Sequence, residues 1–157
     1  MSQIRIAMSF AVFLFVLGAA VSSAQAPDPI LGTWKLNLTK SSYATPPPKS
    51  MTVTIAPATK GYAITVESVG ADGQPQKWGY TSTFDGSENS VSGNPGIDSV
   101  VAKTTGSGGT VMYKKAGKVV STTTSTLSDD GKMMTVTVKV VDAEGKEATN
   151  VAVYERQ

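Results

Sequence analysis

Residues 134–140 read Met134-Thr135-Val136-Thr137-Val138-Lys139-Val140, with an apolar side chain at every second position. This alternation is typical of a β-strand that turns one face toward a core and the other toward water. Residues 51–55 and 62–66 show the same period, with threonine or alanine between the apolar side chains. No segment after residue 24 carries apolar residues at helical spacing over three turns. The sequence therefore predicts an all-β protein.

Turn signals built on glycine, asparagine and aspartate recur roughly every 8–14 residues beyond the first strand. They separate ten predicted strands, and short connections between all but the first pair indicate an antiparallel up-and-down meander. Closure into a barrel removes exposed strand edges, so a closed barrel is favoured and a flattened sandwich is the alternative. The predicted strands cover residues 31–38, 50–57, 61–70, 75–84, 87–92, 97–105, 110–116, 118–128, 132–141 and 147–156.

Two stretches depart from the alternating pattern. Residues 39–50 contain Pro46-Pro47-Pro48, which have no backbone N–H to give to a sheet, and we expect an extended, partly rigid loop there. The strand predicted at 118–128 carries serine or threonine on both faces from Ser121 to Thr126. It has little apolar surface to bury, so this side of the barrel should be a partly wetted or flexible wall.

The first 24 residues follow the three-part pattern of a secretory signal peptide. Arg5 is the only charged residue before position 24, an apolar run follows at 6–17, and small residues lead to Ala24. The apolar run is shorter than the roughly 18–20 residues that cross a bilayer. Cleavage after Ala24 is preferred over cleavage after Ala26, which would place Pro27 in the scissile bond. These features predict a secreted or periplasmic protein whose residues 25–157 form a single β-barrel domain without a transmembrane anchor.

Composition narrows the possible functions. The 157 residues include 14 Lys and Arg and 12 Asp and Glu, a net charge of +2, which does not favour nucleic-acid binding. There is no cysteine and no histidine, so the chain has no disulfide and no Ser-His, Cys-His or histidine–zinc chemistry.

The acidic residues give no catalytic or metal-binding pattern. Asp72, Asp85, Asp129 and Asp130 lie beside or near turn glycines, where aspartate bonds its own backbone. Glu67 lies within a predicted strand, between apolar neighbours that favour an outward position. We therefore expect a non-enzymatic protein with no catalytic residue, no metal site and no cofactor.

Short motifs at the two ends of the domain resemble those of known barrel proteins. Gly32-Thr33-Trp34-Lys35-Leu36 is similar to the opening of fatty-acid-binding proteins, and its Gly-x-Trp element is shared by lipocalins and avidins. Val153-Tyr154-Glu155-Arg156 resembles the close of the last strand in the fatty-acid-binding family. The whole is also similar to secreted, lipocalin-like bacterial proteins. The resemblance implies a calycin-like barrel that encloses a small apolar or amphipathic ligand.

The resemblance also implies where this chain departs from that family. The family grips a ligand carboxylate with Arg-x-Tyr on its last strand, whereas here Tyr154 is preceded by Ala152 at the arginine position. The family inserts a two-helix lid between its first two strands, and residues 39–50 are too short for one. In lipocalins a late arginine packs over the Gly-x-Trp ring, which makes Arg156 over Trp34 the expected barrel-closing contact.

A hollow barrel would be lined by inward-facing residues of several predicted strands. Trp78 and Tyr80 share one strand face, and Phe84 has the same parity. Our alternative is an interaction module with a packed core, which would bind a protein or envelope component through its loops or its Ser/Thr-rich wall. A hollow barrel and a packed core show the same alternation of apolar and polar residues along their strands. The candidate lining residues are Val53, Ile55, Tyr62, Ile64, Trp78, Tyr80, Met134, Val136 and Tyr154.

Overall fold

The fold is known from a computed structural model that describes residues 28–141 and 145–157. The predicted signal peptide lies outside these residues. Ten strands account for most of the described chain, and no helix in it is long and apolar enough to cross a membrane. The strands are β1 (Gly32–Ser42), β2 (Ser50–Pro57), β3 (Tyr62–Val69), β4 (Pro75–Ser82), β5 (Asp85–Ser90), β6 (Ser99–Thr105), β7 (Gly108–Lys115), β8 (Lys118–Leu127), β9 (Met133–Val141) and β10 (Glu147–Arg156).

The ten strands form one antiparallel sheet that curls into a nearly closed barrel. Its order is β4-β3-β2-β1-β10-β9-β8-β7-β6-β5, so β1 and β10 pair along their length although they lie at opposite ends of the sequence. The remaining seam lies between β4 and β5. Gly79 and Ser92 bridge it, each donating its backbone N–H to the other's carbonyl at 3.0 Å. The predicted meander and barrel are thereby confirmed.

Strand β1 is longer than predicted. We expected it to end at residue 38 and a loop to follow at 39–50, but pairing with β10 resumes beyond an irregularity between Asn37 and Ser42. Polar side chains replace the missing ladder bonds: Asn37 Oδ1 accepts the Lys40 N–H at 3.1 Å, and Ser41 Oγ accepts the Val153 N–H at 2.9 Å. The proline-rich loop is therefore confined to residues 43–49.

Strand β7 starts two residues before its predicted beginning, at Gly108. A β-carbon at this position would lie 1.8 Å from the Ser125 carbonyl oxygen on β8, so only glycine permits the close backbone approach. Residues 106–109, which lie between the strands predicted at 97–105 and 110–116, thus include the beginning of a strand.

Glu67 lies outside the barrel wall, and Asp72 and Asp85 lie in or beside turns. Glu67 is exposed as expected, and its carboxylate pairs with Lys77 Nζ on β4 at 2.6 Å. Asp72 Oδ1 accepts the Gln74 N–H at 3.0 Å, and Asp85 Oδ1 accepts bonds from Ser87. Hydrogen bonds from the Ser87 side chain and backbone lower the pKa of Asp85 to about 2. Turn geometry therefore accounts for Asp72 and Asp85.

The barrel is tied together at one end by Trp34 and Arg156, which are partners across the β1–β10 ladder. Trp34 is fully buried, and the Arg156 guanidinium carbon lies 4.4 Å from the centre of its ring. Arg156 donates to three backbone carbonyls: Gly131 at 2.8 Å, Leu31 and Pro29. One side chain thus joins the segment before β1, the β8–β9 turn and the last strand.

Glycine at position 32 makes room for this contact. A β-carbon there would lie 2.8 Å from Arg156 Nη1, and the backbone has a φ of +132°, which L side chains rarely adopt. The first glycine of the Gly-x-Trp motif therefore has a steric reason as well as a conformational one.

Arg156→Lys should lower the free energy of unfolding by about 2–3 kcal/mol, because an ammonium group cannot reach three carbonyls at once. Urea denaturation followed by tryptophan fluorescence measures the loss. Lys118→Ala, in the exposed β7–β8 hairpin, is the control and should stay within about 0.5 kcal/mol of wild type. An Arg156→Lys protein as stable as this control would contradict the role we give to the guanidinium.

Candidate ligand-binding cavity

The interior of the barrel holds a cavity of about 260 Å³, here called the lumen. Residues opposite one another on neighbouring strands form its apolar wall, because every second side chain of each strand points inward. Ile64, for example, pairs with Ile55 on β2 and with Tyr80 on β4. The lumen volume lies just below the roughly 300–1,000 Å³ typical of small-ligand pockets.

Eight of the nine predicted lining residues border the lumen. They come from β2, β3, β4, β9 and β10, and include a stacked pair, Trp78 and Tyr80, whose ring centres lie 6.3 Å apart. The ninth, Tyr62, lies at the barrel end and borders a different cavity. Whether any of them binds a ligand stays a prediction. The eight are Val53, Ile55, Ile64, Trp78, Tyr80, Met134, Val136 and Tyr154.

A second cavity of about 310 Å³, here called the vestibule, lies at the barrel end where Arg156 binds backbone carbonyls and where the β8–β9 turn lies. Ile30, Ile55 and Phe84 border both the vestibule and the lumen, and we call these three residues the floor. The Tyr62 hydroxyl donates to the Asp28 carboxylate at the rim of the vestibule, and this hydrogen bond raises the pKa of Tyr62, with burial contributing.

Phe84 reaches the floor because of an unusual turn between β4 and β5. Its backbone φ is +55°, and its N–H donates to the Oγ of Ser82, a serine that is only 1 % exposed, at 3.1 Å. The Phe84 ring then packs edge-on against Tyr62, with ring centres 5.5 Å apart. The Phe84 side chain faces the barrel interior, as its shared parity with Trp78 and Tyr80 predicts, but it does so from a turn and not from a strand.

One side of the lumen is polar. Ser121, Thr123 and Ser125, at alternate positions of β8, face inward and are half-buried, whereas Thr124 and Thr126 are exposed outside. This side, the hydroxyl wall, is the serine- and threonine-rich strand expected to be wetted. Ser125 Oγ already exchanges bonds with the backbone of Gly109, and Thr123 Oγ1 reaches the Val111 carbonyl only at 3.5 Å.

Tyrosine hydroxyls extend the polar side of the lumen. The hydroxyl groups of Tyr80 and Thr123 both interact with that of Tyr113, and Tyr154 donates to the Met51 sulfur at 3.0 Å. Burial raises the pKa of Tyr80, Tyr113 and Tyr154, so these phenols stay protonated through the neutral range.

The lumen has no charged wall. None of the described residues that border it is Asp, Glu, Lys or Arg, and Ala152, at the position where the resembling family has arginine, is 1 % exposed. Arg156 is occupied by the carbonyls at the barrel end and does not border the lumen. Within residues 28–141 and 145–157, no cluster of acidic side chains is arranged to hold a metal ion.

Sequence reasoning missed about half of the lumen wall. Val66, Val111 and Val138 continue alternating patterns, so parity alone could have found them. The hydroxyl wall was missed because small polar side chains carry no inward signal, and Ile30 because it precedes the first strand. Ile97 belonged to the strand predicted at 97–105, but in the structure it precedes β6 and reaches the lumen from a loop. The lumen residues that were not predicted are Ile30, Met51, Val66, Phe84, Ile97, Val111, Tyr113, Ser121, Thr123, Ser125 and Val138.

Known structures share this fold at low sequence identity. Zebrafish ileal bile acid-binding protein, solved with cholic acid, superposes with a TM-score of 0.50 at 11 % identity, over 82 % of this chain and 99 % of that one. Rv2717c from M. tuberculosis superposes with a TM-score of 0.53 at 17 % identity, over 82 % and 93 % of the two chains. No protein-family profile and no curated protein sequence matches. The likeness establishes a calycin-like barrel.

Tyr154→Phe should make stability less sensitive to alkaline pH. Burial raises the pKa of Tyr154 in the folded state above its value in the unfolded chain. The stability that the neutral phenol contributes is therefore complete below about pH 10 and falls as the pH rises further. Replacing the phenol by phenyl removes that decline. Urea denaturation at intervals between about pH 8 and 11 measures it.

Tyr62→Phe is the comparison variant, since Tyr62 sits at the vestibule rim and not in the lumen. We expect a smaller change in the pH slope for Tyr62→Phe than for Tyr154→Phe. Equal slopes for Tyr154→Phe and wild type would show that the Tyr154 phenol is not held neutral by burial.

Proposed function

We propose that this chain is a non-enzymatic binding protein that holds a small apolar or amphipathic molecule in its lumen. The observation that carries the proposal is the cavity inside the barrel, with apolar side chains from β2, β3, β4 and β9 on most of its surface. Each methylene of a ligand transferred from water into such a site contributes about 0.8 kcal/mol. The bile acid-binding protein of zebrafish, which was solved with cholic acid, supports the proposal by showing that a barrel of this topology can hold a ligand.

The cavity weighs against the alternative interaction module, because that reading requires a filled core. A non-enzymatic role is supported by the sequence, which has no histidine or cysteine to act as base or nucleophile. The tyrosines that border the lumen are held protonated, so they too are poor bases at neutral pH.

Val136→Trp should abolish uptake of an apolar probe, because the indole would fill the lumen from the middle of β9. The probe is N-phenyl-1-naphthylamine, an uncharged dye whose fluorescence rises in apolar surroundings. Wild type should give a saturable rise, and Val136→Trp should give none while keeping a cooperative urea transition.

Thr135→Trp is the matched control, since Thr135 lies next to Val136 on β9 and is exposed outside the barrel. It should bind the dye as wild type does. A Val136→Trp protein that still binds the dye with unchanged affinity would place the site outside the lumen.

We also propose that the chain is exported and cleaved after Ala24, on the basis of its first 24 residues. Expression of the full chain in a bacterial host followed by intact mass measurement of the periplasmic or medium fraction should show a protein that begins at Gln25. Val21→Arg, which places a charge just before the cleavage site, should slow processing and leave the longer form in the cells. Full-length protein found only in the cytoplasm would contradict export.

A further inference from the structure

We propose that the lumen selects uncharged ligands that carry a hydroxyl or carbonyl group, and discriminates against carboxylates and ammonium ions of the same size. This inference rests on the proposed binding function and adds the chemical class of the ligand. It differs from ligand recognition in the family that the sequence resembles, which grips a ligand carboxylate with an arginine where this chain has Ala152.

The first support is the absence of counter-charge. Among the described residues that border the lumen, none carries a charge, and Arg156 is committed to backbone carbonyls at the barrel end. Moving an ionised group from water into such a site costs several kcal/mol unless it finds a charged partner. An ionised ligand would lose its hydration and gain no ion pair.

The second support is the chemistry of the polar groups that are present. The hydroxyl wall on β8, joined by Tyr113 and Tyr80, supplies only hydroxyl groups, each of which can donate one hydrogen bond and accept others. Such groups can reorient to match a ligand hydroxyl or a carbonyl oxygen. They provide directional hydrogen bonds but no full charge to pair with an anion or a cation.

The third support is the position of these groups relative to the apolar surface. Thr123 and Ser125 pair with Val138 and Val136 on β9, and Tyr113 packs edge-on against Trp78 at 5.9 Å between ring centres. The polar side therefore adjoins the apolar wall directly. A molecule with one polar end and an aliphatic body could contact both at once.

Capacity for a new hydrogen bond remains on this wall. No hydrogen bond is formed by the Ser121 hydroxyl within the described residues, whereas the Thr123 hydroxyl interacts with that of Tyr113 and lies 3.5 Å from the Val111 carbonyl oxygen. Both side chains border the lumen and lie two residues apart on β8. A ligand oxygen placed between them would have a hydroxyl group on either side.

Three ligands with the same eight-carbon chain test the inference: 1-octanol, octanoate and octylammonium. Each is titrated into the purified mature protein at pH 7.5 by isothermal titration calorimetry, below its aggregation concentration. We expect 1-octanol to bind at least about tenfold more tightly than either ion. Octanoate binding as tightly as 1-octanol, or more tightly, overturns the inference.

Variants of the polar side sharpen the same experiment. Thr123→Val keeps the shape of the side chain and removes its hydroxyl, so it should weaken 1-octanol binding about fivefold. Thr124→Val, exposed on the outer face of the same strand, is the control and should change nothing. Ser121→Lys places a cation at the lumen and should reverse the preference in favour of octanoate. A Thr123→Val protein with unchanged affinity for 1-octanol would remove the hydroxyl wall from ligand recognition.

The outcome also separates this inference from the function on which it rests. If none of the three ligands binds while wild type remains folded, the proposed binding function fails, and the inference fails with it. If octanoate binds best and Val136→Trp abolishes that binding, the lumen is a binding site and only the preference for uncharged ligands is wrong.

Discussion

The packing of Arg156 on Trp34 is the contact on which the rest of the barrel depends. A ten-stranded meander has two free edges unless its first and last strands pair, and here β1 and β10 do so. The Trp34 ring fills the end of the barrel, and Arg156 covers the ring and binds carbonyls from two other segments. Gly32 is fixed by the same contact, because any larger residue would displace the guanidinium. This corner therefore holds the first strand, the last strand and the β8–β9 turn together at one end of the barrel.

Most of the architecture could be predicted from the sequence, because period and turn chemistry are local properties. The alternation at 134–140 defines β9, and glycine-containing turns flank nearly all of the remaining strands. The errors arose where tertiary contacts override local signals. Ser41 continues β1 through a side-chain bond to β10, and Gly108 joins a strand because Ser125 leaves no space for a side chain.

The candidate site could be predicted only in part. Parity identifies inward positions such as Ile64 and Val136, but it does not say whether the space between opposite walls is filled. That depends on side-chain volumes summed around the barrel, and on β8 these are small. Serine and threonine on the inner face, in place of leucine or phenylalanine, leave the space that becomes the lumen and give it a polar side. The empty space of the lumen and its polar side thus have one cause, the small hydroxyl-bearing side chains of β8, and the sequence of a single strand does not reveal it.

The seam between β4 and β5 also bears on how the chain folds. Every strand pair but one joins neighbours in the sequence and can form as a local hairpin. The exception is β1 with β10, where Arg156 reaches Leu31 across 125 positions. Bringing such distant segments together costs more chain entropy than closing a hairpin, and long-range strand pairing slows folding. Because the seam lies in mid-sequence, β1–β4 and β5–β10 can each assemble as an independent arm before the two chain ends meet. We therefore expect the docking of two preformed arms to be the slow step of folding, with the corner built on Trp34 forming last.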